Sequence, residues 1–126
     1  KDAGVIEIVD PSTAVNLTNH EVIKVKIKNF GLNPISNFNI RYRVDNNPVV
    51  TQLVTDTIAA NDTIEKTFNV LANLSSNTQP QTFVLKAWTA LANDATSLND
   101  TTKKIVINKL HIQILFFLNI VFIFIT

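Results

Sequence analysis

Apolar and polar residues alternate along most of this chain with a period of two. Residues 21–28 read Glu-Val-Ile-Lys-Val-Lys-Ile-Lys, with Ile23, Val25 and Ile27 on one side and Lys24, Lys26 and Lys28 on the other. Residues 37–44 repeat the scheme: Phe38, Ile40, Tyr42 and Val44 alternate with Asn39, Arg41 and Arg43. Successive side chains of a strand point to opposite faces, so each run predicts a strand with one dry and one wet face. An earlier apolar run, Val5, Ile6, Ile8 and Val9, is closed by Asp10-Pro11-Ser12. Residues 49–58 predict a Thr-rich strand. Residues 63–70 predict another, with Ile64, Phe68 and Val70 in phase and Lys66 the exception. Phe83, Leu85 and Ala87 alternate with Val84, Lys86 and Trp88, and residues 102–107 supply a last strand with Ile105 and Ile107 expected inward.

Turn signals separate these runs: Asp45-Asn46-Asn47-Pro48, Ala59-Ala60-Asn61-Asp62, and polar loops over 71–81 and 91–100. Between the two most regular strands lies Asn29-Phe30-Gly31-Leu32-Asn33-Pro34. Gly31 is the residue best able to take φ > 0 there. Pro34 lacks the N–H of a central strand and is expected where the chain crosses to a second sheet. About seven short strands without helical periodicity predict an all-β fold, an Ig-like antiparallel β-sandwich over residues 3–108.

Residues 109–126 break the pattern. The stretch 110–125 is apolar except for His111, Gln113 and Asn119, and it is rich in Phe and β-branched residues. Its sixteen positions fall short of the roughly 20 a membrane helix needs. Three readings stay open: a short membrane anchor, a truncated or misread chain end, or one further strand packed on the domain.

Composition narrows the function classes. The chain has 126 residues, suited to one domain, with 46% hydrophobic residues and a net charge of +1. That charge gives no field to argue for nucleic acid, and no nucleic-acid partner is expected. The absence of Cys excludes disulfides, thiolate metal sites and a Cys nucleophile. Two Gly residues, Gly4 and Gly31, cannot build a phosphate-cradling loop, and no nucleotide, zinc-protease or hydrolase motif occurs. His20 and His111 have no spaced zinc partner. No catalytic or cofactor-binding residue is assigned and no cofactor is expected. The chain starts Lys1-Asp2, contains no Met and shows no signal peptide. It reads as a processed protein or a segment of a longer one.

Some candidate chemistry remains. Most Asp residues sit at turns, where a carboxylate commonly bonds its own backbone. Asp94, Asn99 and Asp100 share one loop and offer hard oxygen donors to calcium, without the spacing of a calcium-binding loop. Lys24, Lys26 and Lys28 form one basic row, and Arg41 and Arg43 a second. Such rows usually solubilise a strand face, and consecutive strands of a sandwich often lie in opposite sheets. Trp88 and Tyr42 are candidate ligand-contact aromatics, although Trp88 is out of phase with its strand's apolar face. Asn16, Asn61, Asn73 and Asn99 head N-glycosylation triplets. Thr57, Thr63 and Thr101 lie in Asp-Thr triplets that resemble a bacterial O-glycosylation acceptor.

The run VIKVKIKNFGLNPISNFNIRYRVDNNPV resembles the cell-adhesion-related domain of bacteria, the CARDB type, and kindred fibronectin-III-like modules. Asn29-Phe30-Gly31 matches that family's first turn, residues 37–44 its next strand, and Asp45-Asn46-Asn47 takes the place of its second turn. IAANDTIEKTFNV resembles a later segment, and QTFVLKAWTALANDATSLNDTTKKIVI the last two strands with their acidic loop. The late loop departs from the family's pattern at Ser97-Leu98-Asn99-Asp100. The resemblance implies a non-catalytic structural, adhesion or spacer module of a larger bacterial protein, exported and extracellular or at the cell surface. Implied partners are neighbouring domains of the same polypeptide and a surface protein or polysaccharide, with a membrane involved only if 110–125 is an anchor. The alternative is a carbohydrate-binding module using exposed aromatics; an enzyme with a dispersed carboxylate pair is a third reading.

Overall fold

The computed structural model describes residues 1–96 and 100–110, together with the backbone of 112–117 and 120–125. In chain order the strands are β1 (Ala3–Asp10), β2 (Ala14–Val15), β3 (Lys24–Asn29), β4 (Phe38–Val44), β5 (Val50–Val54), β6 (Thr63–Thr67), β7 (Gln81–Ala90), β8 (Thr101–Lys109), β9 (Ile112–Phe117) and β10 (Ile120–Ile125). The described residues contain no helix. One sheet has the order β1-β3-β6 and the other β2-β8-β7-β4-β5. Every pairing is antiparallel except the short one between β2 and β8. The chain is therefore an all-β sandwich, and the seven expected strands are β1 and β3 to β8.

The alternating positions converge between the sheets. Val25 and Ile27 of β3, Ile40, Tyr42 and Val44 of β4, Phe83, Leu85 and Ala87 of β7, and Val54, Ile58, Phe68 and Leu74 are all buried. Each large apolar side chain taken out of water contributes about 1.5–3 kcal/mol. Tyr42 is only 3% exposed and stands edge-on to Phe68, ring centroids 4.7 Å apart. Its hydroxyl donates to the Val70 carbonyl at 2.8 Å. Burial raises its phenol pKa above the usual value. Tyr42→Phe is expected to lower stability by about 1 kcal/mol, read as a shift of the urea midpoint with an unchanged slope.

Several local expectations are corrected. In β8 the inward residues are Val106 and Asn108, while Ile105 is 62% exposed and Ile107 half-buried. Ile105-Val106-Ile107 is apolar on both faces, so alternation leaves its phase open; register opposite the inward Phe83 puts Val106 inside. Strand β6 ends at Thr67, so Phe68 is buried and Val70 is 52% exposed. Gly31 does not take positive φ. Among the described residues the left-handed positions are Asn16, Asn37, Asp45, Asn61 and Asn93, whose short polar side chains tolerate that region. Gly31 serves close approach instead: a Cβ there would lie 3.2 Å from Asn29 Oδ1 and 3.4 Å from the Asp2 nitrogen. The crossing after Asn33-Pro34 does carry the chain from the first sheet to the second. Strand β2 escaped detection because two exposed residues cannot show a period. In the tail, β9 and β10 pair with each other, Ile112 opposite Ile125 and Phe117 opposite Ile120. Among the described residues no helix is long and apolar enough to cross a membrane.

The two sheets are tied together along β1. Its edge away from β3 offers carbonyls to inward polar side chains of the other sheet. Thr89 Oγ1 donates to the Ala3 carbonyl at 2.8 Å, Thr102 Oγ1 to that of Val5, and Lys104 Nζ to that of Ile8 at 3.0 Å. On the opposite side Gln52 of β5 donates to the Thr67 carbonyl and accepts from the Asn69 N–H. Backbone groups that would otherwise be left unpaired are thus satisfied.

Candidate functional site

One pole of the sandwich gathers the N-terminal residues, the β3–β4 connection and the β7–β8 loop. Asn29 ends β3 in the inward phase set by Val25 and Ile27, and it is fully buried. Its Nδ2 donates to the carbonyls of Asn33 at 2.8 Å and Ile58 at 3.0 Å, and its Oδ1 accepts the Gly31 N–H at 2.9 Å. The N–H groups of Phe30 and Gly31 both reach the Asp2 carbonyl. Asn108 mirrors this at the other pole. It is fully buried, donates to the carbonyls of Leu74 and Leu17, and accepts the Leu17 N–H. The sequence marks Asn29 as part of a turn signal and gives no role to Asn108; the burial of both is what it does not show. The available signal was position: each occupies the inward phase, Asn29 as the last residue of its strand and Asn108 as the last but one.

The candidate calcium donors fall at the first pole, with Asn99 outside the described residues. Asp94 is committed to the backbone: Oδ2 accepts the Ala3 N–H at 3.1 Å and Oδ1 that of Thr96 at 2.9 Å. The Asp100 carbonyl accepts from Val5 of the first sheet and Thr89 of the second. Its Oδ1 is buried and has no hydrogen-bond partner among the described residues. Burial, then the charges of Asp94 and Asp2, push the Asp100 carboxyl above the usual carboxylate range. Among the described residues no three His, Cys, Asp or Glu side chains come together to hold a metal ion.

The sign of the pH effect follows. A carboxyl whose pKa is raised on folding is neutral in both states at low pH. As pH rises, it ionises first in the unfolded chain, so its contribution falls between the unfolded value near 3.8 and the raised folded one. Asp100→Asn is expected to match wild-type stability well below that window and exceed it at pH 7. Urea melts across pH 3–7 check this; a variant no more stable than wild type at pH 7 contradicts it.

Trp88 and Tyr42 lie on opposite faces of the same sheet and do not form a shared contact surface. Tyr42 pairs with the inward Ala87, whereas Trp88 pairs with the outward Arg41. The Trp88 ring lies 5.4 Å from Lys86 Nζ. The Lys24, Lys26 and Lys28 row is on the outer face of the other sheet, as the separation of consecutive strands predicted. Lys24 pairs with Glu65 at 3.0 Å, and that hydrogen bond, then the charge itself, raises the Lys24 pKa. Lys28 sits 5.3 Å from the Phe30 ring centre. Lys66 pairs with Asp56 at 2.7 Å and holds the Asp56 carboxyl below its usual value.

Of the acceptor threonines, Thr57 is exposed in the β5–β6 loop, Thr101 is exposed at the start of β8, and Thr63 is half-buried at the start of β6. Asn16, Asn61 and Asn73 are exposed; Asn73 Oδ1 accepts from Ser75. His20 lines a shallow cleft of ≈ 340 Å³ with Asp10, Pro11, Glu21 and Val22. The Glu21 carboxylate there is taken by the N–H and hydroxyl of Thr18. Tyr42 lines a smaller cleft of ≈ 140 Å³ with Pro48, Val50 and Leu71.

Comparison with solved structures places this architecture. The NMR structure of the CARDB domain of PF1109 from Pyrococcus furiosus matches with a TM-score of 0.59 and 19% identity, covering 86% of this chain and 96% of that one. The fold is that of a CARDB domain. A crystal structure of the same Pyrococcus furiosus CARDB domain, in complex with di-metal ions, matches with a TM-score of 0.60 and 20% identity over 84% of this chain and 86% of that one. The 272–376 domain of a candidate cell surface protein from Methanosarcina acetivorans matches with a TM-score of 0.64 and 21% identity, covering 83% of this chain and 89% of that one. No family model and no curated protein matches the chain.

Proposed function

We propose that this chain is a non-catalytic, adhesion-related or spacing module of a secreted or cell-surface protein. The observation that carries the reading is the course of the chain through the sandwich. β1 begins at the pole where Ala3 pairs with Asn29. β8 runs alongside it in the same direction, from Thr101 to Lys109, as the ties from Thr102 to Val5 and Lys104 to Ile8 require. The chain enters at one pole and leaves by the other, a geometry suited to stringing domains end to end. The likeness to a domain of a candidate cell surface protein supports the setting. Neighbouring domains of the same polypeptide are the first partners this reading names.

The di-metal complex of the Pyrococcus furiosus domain asks whether this chain holds metal too. The donors do not fit among the described residues: both Asp94 oxygens serve backbone N–H groups, and no three-ligand cluster forms. No metal enters the proposed role.

Two measurements test the reading. An antibody against the folded chain should label intact cells, and external protease should remove the signal. Limited proteolysis of the native protein should release the sandwich, residues 3–108, as a folded fragment. Labelling only after lysis would overturn the surface assignment.

A further inference from the structure

Register on the outer face of the five-stranded sheet brings together residues that the sequence keeps far apart. Arg43 of β4 lies opposite Lys86 of β7, and Lys86 lies opposite Lys103 of β8. In the next outward row, Arg41 lies opposite Trp88. On the other side of the cationic row, Val84 pairs with Ile105, both exposed. Neighbouring strands are about 4.8 Å apart, so the three cations span about 10 Å of sheet. Lys86 and Lys103 are exposed, and Arg41, Arg43 and Trp88 are partly so.

Nothing among the described residues neutralises this row. No outward position of β4, β7 or β8 carries Asp or Glu. Both ion pairs of the described residues, Lys24–Glu65 and Lys66–Asp56, lie elsewhere. Asp45, the next residue in phase after Arg43, turns its Oδ1 to the Val84 N–H at 2.8 Å. Like charges directly opposite one another destabilise a sheet. Protection of a sheet edge does not account for Arg43 and Lys86, because β4 and β7 are paired on both sides; Lys103 lies on β8, which β2 covers only at Asn108 and Lys109. The row is also preset. Arg43 donates Nε to the Asn47 carbonyl at 2.9 Å and Nη2 to that of Asn46 at 3.1 Å, and Lys86 lies against the Trp88 ring.

We propose that this face binds a linear anionic polysaccharide, with sulfate or carboxylate groups on Arg43, Lys86 and Lys103 and the apolar face of one sugar ring on Trp88. A cationic row with the apolar Val84–Ile105 pair on one side and Trp88, between Arg41 and Thr101, on the other suits a ligand that alternates C–H faces with charged substituents. Charge-assisted hydrogen bonds supply strength, and the aromatic ring supplies orientation. A net charge of +1 gives little long-range attraction for a nucleic acid, so recognition is local. The inference deepens the adhesion reading by naming its ligand class, and it rests on that reading for its biological setting.

The test titrates the full 126-residue chain, 15N-labelled, with a heparin oligosaccharide and with oligogalacturonate, which separate sulfate from carboxylate. Maltohexaose, oligo-dT and phosphatidylglycerol vesicles are the other arms. Saturable amide shifts on the outer face of β4, β7 and β8 are expected with at least one acidic saccharide and none with maltohexaose. The triple variant Arg43→Ser, Lys86→Ser, Lys103→Ser should weaken that binding by about tenfold or more, and Trp88→Ala by about fivefold. Lys24→Ser, Lys26→Ser, Lys28→Ser, with the same change in charge on the opposite sheet, should stay within about twofold. Shift mapping on the wild type decides the site even if a variant folds poorly. No saturable binding to either acidic saccharide, equal losses in the two triple variants, or tighter binding to oligo-dT or vesicles overturns the proposal. Cell-surface labelling that persists in such a case leaves the module reading standing.

Discussion

Asn29→Ala is expected to destabilise the protein by about 3–4 kcal/mol, near the top of the range for a single polar truncation. The side chain satisfies two carbonyls and one N–H at once, with no exposure to solvent. Its backbone adds two more ties, donating to the Asp62 carbonyl and accepting from the Asn61 N–H. Removing the carboxamide takes one of two donors from the Ile58 carbonyl, which keeps the Ile35 N–H beside a dry void, and each of the three lost bonds costs about 0.5–1.5 kcal/mol on top of the cavity. The loss should also loosen the β3–β4 connection, because Asn33 and Gly31 are held through the same group. Urea denaturation measures the first effect, and faster amide exchange at Gly31 the second. A change below about 1 kcal/mol would mean that water takes over all three bonds.

Phe68→Ala should cost a comparable 3–5 kcal/mol for a different reason. Phe68 is 1% exposed and among the largest fully buried side chains of the described residues. It sits just past the end of β6, where its N–H donates to the Ile23 carbonyl at 2.9 Å, and its ring meets the edge of Tyr42. Truncation removes the transfer free energy of an aromatic ring and leaves a cavity between two sheets that are pinned along both sides. A thermal midpoint lower by roughly 10–25 °C is the expected readout. Phe68→Leu, which keeps most of the volume, should recover more than half of the loss.

The strands were legible because their inner faces are dry and their outer faces wet, which writes a period of two into residues 24–28 and 38–44 directly. That signal fails where both faces are apolar: Ile105, Val106 and Ile107 show no contrast, and only pairing with β7 fixes which of them is buried. It also fails where a polar residue holds an inward position. Asn29 and Asn108 read locally as turn or surface residues, yet their carboxamides close the two poles. The cationic row was illegible for a topological reason. Arg43, Lys86 and Lys103 are separated by 43 and 17 positions and meet only because the sheet order places β7 between β4 and β8. Tyr42 and Trp88 are distinguished by phase, and the burial of Tyr42 follows from the same alternation that turns Trp88 outward.

The parallel course of β1 and β8 has a mechanical meaning. Tension entering along β1 and leaving along β8 would pull the two strands past each other lengthwise. β1 is paired with β3 from Ala3 to Asp10 and pegged to the second sheet through Thr89, Thr102 and Lys104. Such bonds lie across the strands, so a lengthwise pull loads them together as a shear joint rather than peeling them one at a time. A domain wired this way is expected to yield late and all at once when stretched in a force-extension measurement, the behaviour that the proposed spacing role calls for.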